Sequence, residues 1–236
     1  MTPYEEEIER NLGVWKSKAL LRDVYTQMYT RIAHWIDASL PGTIVEIGSG
    51  IGNFGEFRSE VLLTDQSIQP WIDLTCSAYA LPFRNQTVTH LVMVDVFHHL
   101  SAPRAFFDNA RTVLAEKGRI IILEPYISLM SSVVYGIFHD EPIAWRAKIE
   151  PAPTTEYYAA QGNATRLLFG DLDWLPGWRV VHREAFSALG YVLSGGFSKP
   201  AFYPRKMLPM FDAVDRSLSR FPKLFGARCL IVLAKR

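Results

Sequence analysis

The chain has 236 residues, 49% of them hydrophobic, and a formal charge of +1 at pH 7. That length suits one domain with an ample core, and the balanced charge, without a basic stripe, gives no support for nucleic-acid binding. The two cysteines, Cys76 and Cys229, lie in separate apolar segments without C-x-x-C spacing or nearby histidine clusters. Neither a disulfide framework nor a zinc site is expected, and both read as reduced core thiols.

The first ten residues are acidic and polar, and no uninterrupted apolar run reaches the ~18 residues of a membrane span, so a cytoplasmic protein is expected. Residues 4–38 read as two helices, since Val24, Met28, Ile32 and Trp35 recur at helical spacing before Pro41-Gly42 ends the second. From 43 to 125, short β-branched runs alternate with helical segments, the pattern of a parallel sheet with helices on both faces.

Thr43 to Phe54 carries the strongest signal. An apolar strand through Ile47 runs into glycines at 48, 50 and 52, where the backbone can turn sharply and approach a ligand that a Cβ would block. A nucleoside cofactor is expected. Gly50, Gly52 and Gly55 also fit the dinucleotide pattern G-x-G-x-x-G, but the pattern should begin where the strand ends, at Gly48, and its third glycine would then be Asn53. Glu46 would repel a pyrophosphate and tolerate a cationic methionine moiety.

The run Val45-Glu46-Ile47-Gly48-Ser49-Gly50-Ile51-Gly52 resembles the first motif of class I S-adenosylmethionine-dependent methyltransferases (type 11-like). Three later segments are similar to that family's motifs, in its order. They are Leu62-Leu63-Thr64-Asp65, the stretch from Ser77 through Phe83 to Asp95-Val96-Phe97-His98-His99-Leu100, and Arg111 to Pro125. The resemblance is good over residues 40 to 125 and holds elsewhere only in outline. It implies a Rossmann-like, seven-stranded, mostly parallel sheet with helices on both faces and an antiparallel last strand. Arg179–His182 and Cys229–Leu233 are its closing strands, with an amphipathic helix over 206–219 between them. The first helix, between Gly48 and Asp65, is about a turn shorter than the family usually shows.

The resemblance also implies S-adenosylmethionine as cofactor. Gly48, Ser49 and Gly50 belong at its methionine end, where Glu46 either orients its amino group or holds the glycine loop; Asp65 belongs at its ribose, Ser77 and Ala78 at its adenine, Ser77 standing where the family often has an aspartate, and Gln66 and Asp95, the latter beside the transferable methyl, complete the cofactor-contact candidates. His98 and His99 follow the fourth strand as candidate bases for an acceptor that must lose a proton. His99 is similar in position to a histidine that works with an N-terminal tyrosine in phosphobase methyltransferases; Tyr25 and Tyr29 are the tyrosines here.

The expected organisation is one domain over 1–236, with 1–40 as a helical cap and 126–176 as a substrate lid. Tyr157, Tyr158, Phe169, Trp174, Trp178 and Tyr191 are aromatics that could line an acceptor pocket, and Phe138 is a further lid candidate. His139-Asp140-Glu141 lacks ligand spacing for a metal, so a hinge or helix cap ahead of Pro142 is the plainer reading. The expected acceptor is a small or lipid- or saccharide-like molecule, methylated on oxygen, with nitrogen and carbon as alternatives and peripheral membrane contact compatible. The alternatives are a non-catalytic nucleoside-binding protein and a nicotinamide-dependent oxidoreductase; the latter would need the Gly50 register and a Tyr-x-x-x-Lys pair after a suitable strand, which the sequence lacks.

Overall fold

The computed structural model describes residues 3–138, 146, 149–154 and 158–236. Its centre is a seven-stranded sheet: β1 (Thr43–Ile47), β2 (Leu62–Asp65), β3 (Leu74–Thr75), β4 (Val88–Val94), β5 (Leu114–Pro125), β6 (Trp178–Phe186) and β7 (Arg228–Lys235), in the order β3-β2-β1-β4-β5-β7-β6. Pairings from β3 through β5 are parallel, and β7 runs antiparallel to both β5 and β6. Strand order reverses between β1 and β4, which opens a crevice beyond their carboxyl ends, where such sheets bind ligands.

Each face of the sheet buries its own core. On one face Val45, Ile47, Leu91, Met93, Ile120 and Ile122 pack with α4 (Pro103–Val113), whose Phe106, Phe107, Ala110 and Val113 share one stripe. On the other, Ile44, Val92, Ile121 and Leu123 meet α2 (Ala19–Ala33) through Val24, Tyr25, Met28, Tyr29 and Ile32. Each such apolar side chain, fully buried, contributes ~1.5–3 kcal/mol.

The N-terminal segment forms two helices as expected, α1 (Pro3–Ser17) and α2, but the second ends at Ala33. Trp35 lies past that end and stacks on His182 with ring centroids 4.6 Å apart. Arg205 ties α2 to the C-terminal part by a paired hydrogen bond to Asp23, at 2.5 and 2.9 Å. The first helix after the glycines, α3 (Asn53–Phe57), is the short one expected. Beyond β5 come α5 (Leu129–Phe138), α6 (Asn163–Leu168), α7 (Leu189–Ser194), α8 (Leu208–Leu218) and α9 (Pro222–Phe225). A single 3-10 turn, Arg205–Met207, precedes α8 within the helix expected there.

Candidate active site

β1 ends at Ile47, so the turn begins at Gly48 and the register is the one the strand dictates. Gly48 has φ +68°, and a Cβ there would sit 2.6 Å from Val96 Cγ2. Gly50, φ +50°, has open space where its Cβ would be. Gly52 and Gly55 pack against Trp71 and Leu63, and because the strand ends before Gly48, the Gly50 register of the dinucleotide pattern starts two residues too late. Ser49 is buried: its N–H donates to the Thr64 carbonyl (2.9 Å), and its hydroxyl accepts from the Thr64 N–H (3.1 Å), locking the turn onto β2.

Asp65 closes β2 and is 2% exposed. Its carboxylate accepts from Gly50 N–H (2.8 Å) and Ser67 N–H (2.9 Å). A third donor comes from α1: the Tyr4 hydroxyl lies 3.0 Å from Oδ2 and 3.2 Å from Oδ1. Trp71 braces the same corner by donating Nε1–H to the Gly50 carbonyl (2.9 Å). Gln66 is exposed beside Asp65, Ser77 is exposed with its hydroxyl accepting from Tyr79 N–H (3.2 Å), and Ala78 packs on the core.

Glu46 is buried beneath the turn, and burial pushes its carboxyl up to about 8; a hydrogen bond from Ser49 opposes that rise and the charge of Asp65 adds to it. Its Oε2 and the Tyr29 hydroxyl are both buried without a hydrogen-bond partner among the described residues. Tyr25 and Tyr29 gather with Tyr191: Tyr25 lies 5.6 Å from Tyr29 and 5.8 Å from Tyr191, ring to ring. Burial holds all three phenols above their ordinary range.

The same cluster contains Arg228, which opens β7 at 1% exposure and pairs with Asp95 at 2.7 Å, its guanidinium 5.3 Å from the Tyr191 ring. Asp95 holds φ +58° just past β4, a conformation that a non-glycine residue keeps only where its surroundings impose it. Arg228, Tyr4 and Trp71 escaped the sequence reading. A lone arginine opening the otherwise apolar run Cys229–Leu233 was the one local signal for Arg228.

The two histidines of the turn Phe97–His99 are adjacent and engaged differently. His98 is 3% exposed and faces Glu124, which is fully buried: Nδ1 lies 2.7 Å from Oε2, while Oε1 accepts from Phe97 N–H at 2.6 Å. Its Nε2 lies 3.3 Å from the Gln161 amide nitrogen, so both ring nitrogens have partners. His99 is half-buried, with Nδ1 3.0 Å from the Tyr158 carbonyl. A carbonyl only accepts, so Nδ1 carries the proton, and whenever the ring is neutral its lone pair is on Nε2.

The segment after β5 is pinned over this turn: Ala160 N–H donates to the His98 carbonyl (3.0 Å), Glu150 N–H to the Ser101 carbonyl (2.8 Å) and Thr154 N–H to Ser101 Oγ (3.1 Å). Of the six aromatics, Trp178 is core at 1% exposure, a correction that follows from its contact with Phe107 at 5.5 Å. Trp174 likewise packs on Phe107. Tyr158 and Phe169 stay near the carboxyl edge, the latter against Tyr126, and Tyr191 joins the Arg228 cluster. Tyr157 and His139-Asp140-Glu141-Pro142 lie outside the described residues, as does the side chain of Phe138. Cys76 and Cys229 are free thiols, and among the described residues no group of three or more His, Cys, Asp and Glu is gathered as a metal site.

This architecture is the class I S-adenosylmethionine-dependent methyltransferase fold. A methyltransferase domain family model matches residues 59–122, while no curated protein matches the sequence significantly. Among solved structures, the chain is similar to a SAM-dependent methyltransferase of Thermotoga maritima described as a possible histamine N-methyltransferase. The identity is 15%, 97% of this chain and 98% of that one are covered, and the TM-score is 0.59. It is similar also to a chain from the complex of the Haloferax volcanii Trm112 methyltransferase activator with its methyltransferase (12%, 98% and 95%, 0.56). A third similar structure is the geranyl diphosphate C-methyltransferase of Streptomyces coelicolor (10%, 90% and 79%, 0.54).

The residues at the crevice fit the cofactor this fold is named for. Gly50 has open space where a side chain would stand, Asp65 is a buried carboxylate whose Tyr4 donor stands where a ligand hydroxyl could, and Glu46 Oε2 is a buried acceptor with no partner among the described residues.

Proposed function

We propose that the chain is an S-adenosylmethionine-dependent methyltransferase acting on a small-molecule acceptor, and in finer detail a lipid- or saccharide-like one methylated on oxygen. The observation that carries this reading is the left-handed glycine turn after β1 hydrogen-bonded directly to the buried carboxylate that ends β2. When bound, the cofactor supplies a methyl group on a sulfonium, whose transfer depends mainly on alignment of nucleophile, carbon and sulfur. Gly48, Ser49 and Gly50 face its methionine end with Glu46 beneath and Asp95 beside it; Asp65 and Gln66 take the ribose, and Ser77 and Ala78 border the adenine. The Tyr4 hydroxyl occupies positions on the Asp65 carboxylate that ribose hydroxyls would take, so it would give them up to the cofactor.

His99 serves as general base through Nε2, taking the proton of an acceptor hydroxyl. His98, held by Glu124 and Gln161, positions the turn from behind. The chain works as one domain, with 1–40 as its N-terminal cap and 126–176 as its lid. Two free thiols suit a reducing compartment, and we read the protein as cytoplasmic. No helix among the described residues is long and apolar enough to cross a membrane, which leaves peripheral contact as the form of membrane association in this reading.

Acceptor screening with radiolabelled methyl donor tests the proposal. In a turnover assay on the acceptor so found, His99→Gln is expected to lower kcat by ~10²–10⁴-fold and remove the low-pH limb of the rate profile, with cofactor affinity unchanged. Cofactor binding without transfer to any acceptor would make the chain a nucleoside-binding protein instead.

A further inference from the structure

Away from the crevice, at the open edge of the sheet, a cavity of about 630 Å³ lies along β6. Arg183–Phe186 border it, Tyr126 and Phe169 wall one side, and Arg31, Arg216 and Lys223 reach in from α2, α8 and α9. Four cationic side chains face one carboxylate, Glu184. Arg31 pairs with Glu184 at 3.1 Å, and Arg183 is held by the carbonyls of Phe169 and Gly170. Arg216 and Lys223 have no carboxylate within 4.0 Å among the described residues. The acids of α8 are turned elsewhere: Asp212 accepts from Gln27, and Asp215 from Ser187, Leu189 and Gly190.

The surface next to this cavity is apolar. Leu129 is 64% exposed, Met130 49% and Val133 53% on α5, and Phe221 (63%) and Leu224 (39%) lie just before and within α9. The two helices are joined where Ser128 Oγ donates to the Leu224 carbonyl at 3.2 Å. α5 carries no charged residue from Leu129 to Phe138, whereas Arg216 of α8 and Lys223 of α9 line the cavity side. Large exposed apolar side chains backed by uncompensated cations are the chemistry that binds an anionic bilayer surface, with apolar groups in the acyl boundary and cations among the headgroups.

We propose that the α5–α9 face seats the protein on an anionic lipid surface, with Leu129, Met130, Val133, Phe221 and Leu224 entering the boundary and the cavity cations receiving a headgroup phosphate. This deepens the proposed function by giving a lipid-like acceptor its source, and it is measured without methyl transfer, so the two can fail separately. The test is flotation of the full chain with vesicles of phosphatidylglycerol and phosphatidylcholine in equal parts, against phosphatidylcholine alone. Binding is expected only to the anionic vesicles and is expected to weaken with salt. Combined Arg216→Glu and Lys223→Glu should lower partitioning at least about tenfold, each cation being worth about a factor of five near such a surface. Leu224→Ser with Met130→Ser should weaken it as well, with an unchanged melting temperature certifying each fold. Equal binding to neutral vesicles, no binding to anionic ones, or an indifferent charge reversal would overturn the proposal. So would binding of inorganic phosphate alone, lost with the same reversal and without vesicle binding, since that would make the cavity a site for a soluble anion.

Discussion

The corner around Gly48 and Asp65 and the turn carrying His98 and His99 sit at the carboxyl edge of the same sheet but are built at different range. The first is fixed by contacts between adjacent parallel strands, 15 residues apart in sequence for Gly50 to Asp65 and Ser49 to Thr64. The second depends on side chains reaching 26 residues to Glu124, 59 to Tyr158 and 63 to Gln161. The corner is therefore a local device specified by glycines and a carboxylate, whereas the turn takes its shape only once β5 and the segment after it are in place. Cofactor binding and acceptor chemistry should thus respond to different substitutions.

Glu124→Ala should separate them most strongly. It strands the Phe97 N–H and the His98 ring in a buried place, a loss on the order of 3–5 kcal/mol by the rule for broken buried pairs. A lower melting temperature and loss of turnover are expected, with S-adenosylhomocysteine affinity little changed in calorimetry; Glu124→Gln, which keeps the shape, should fall between. If cofactor affinity fell in step with turnover, the two regions would be one unit.

Glu46→Gln probes the corner through pH. The folded carboxyl sits at about 8, against an ordinary value of 4.5, so its stabilising effect is complete below 4.5 and lost as pH rises through 8. Glutamine does not titrate. Its variant should gain on the wild type from pH 5 to pH 9, by an amount on the order of a few kcal/mol. Parallel denaturation midpoints across that range would show that Glu46 is not held protonated by burial.

Tyr4→Phe carries the smallest expected effect. Removing a phenol that competes for Asp65 should tighten S-adenosylhomocysteine binding several-fold, less than the ~1.5–3 kcal/mol of a charged hydrogen bond because water takes its place. Weaker binding would mean that Tyr4 touches the cofactor.

The same difference in range explains what could be read from the residues. Thr43–Ile47, the short helix before Asp65 and the β4 and β5 strands declared themselves because apolar periodicity and glycine spacing act over a few residues. Tyr4 on Asp65, Glu124 under His98 and Arg228 on Asp95 did not, since nothing in a single residue's neighbourhood names a partner 61, 26 or 133 positions away. His98 and His99 are neighbours in sequence, and only a 3-10 turn with a carboxylate on one side and the Tyr158 carbonyl on the other distinguishes them. Trp178 shows the limit of composition: its sequence context fits pocket lining or core alike, and it is core because β6 turns it onto Phe107.

The most direct test of the cofactor corner is calorimetric titration of S-adenosylhomocysteine and NAD into the wild type and a folded Asp65→Ala variant. S-adenosylhomocysteine should bind the wild type and NAD should not, and the variant should lose on the order of 1.5–3 kcal/mol for each hydrogen bond removed from the carboxylate. Binding of NAD alone, or an Asp65→Ala variant with undiminished affinity, would contradict the assignment of this site.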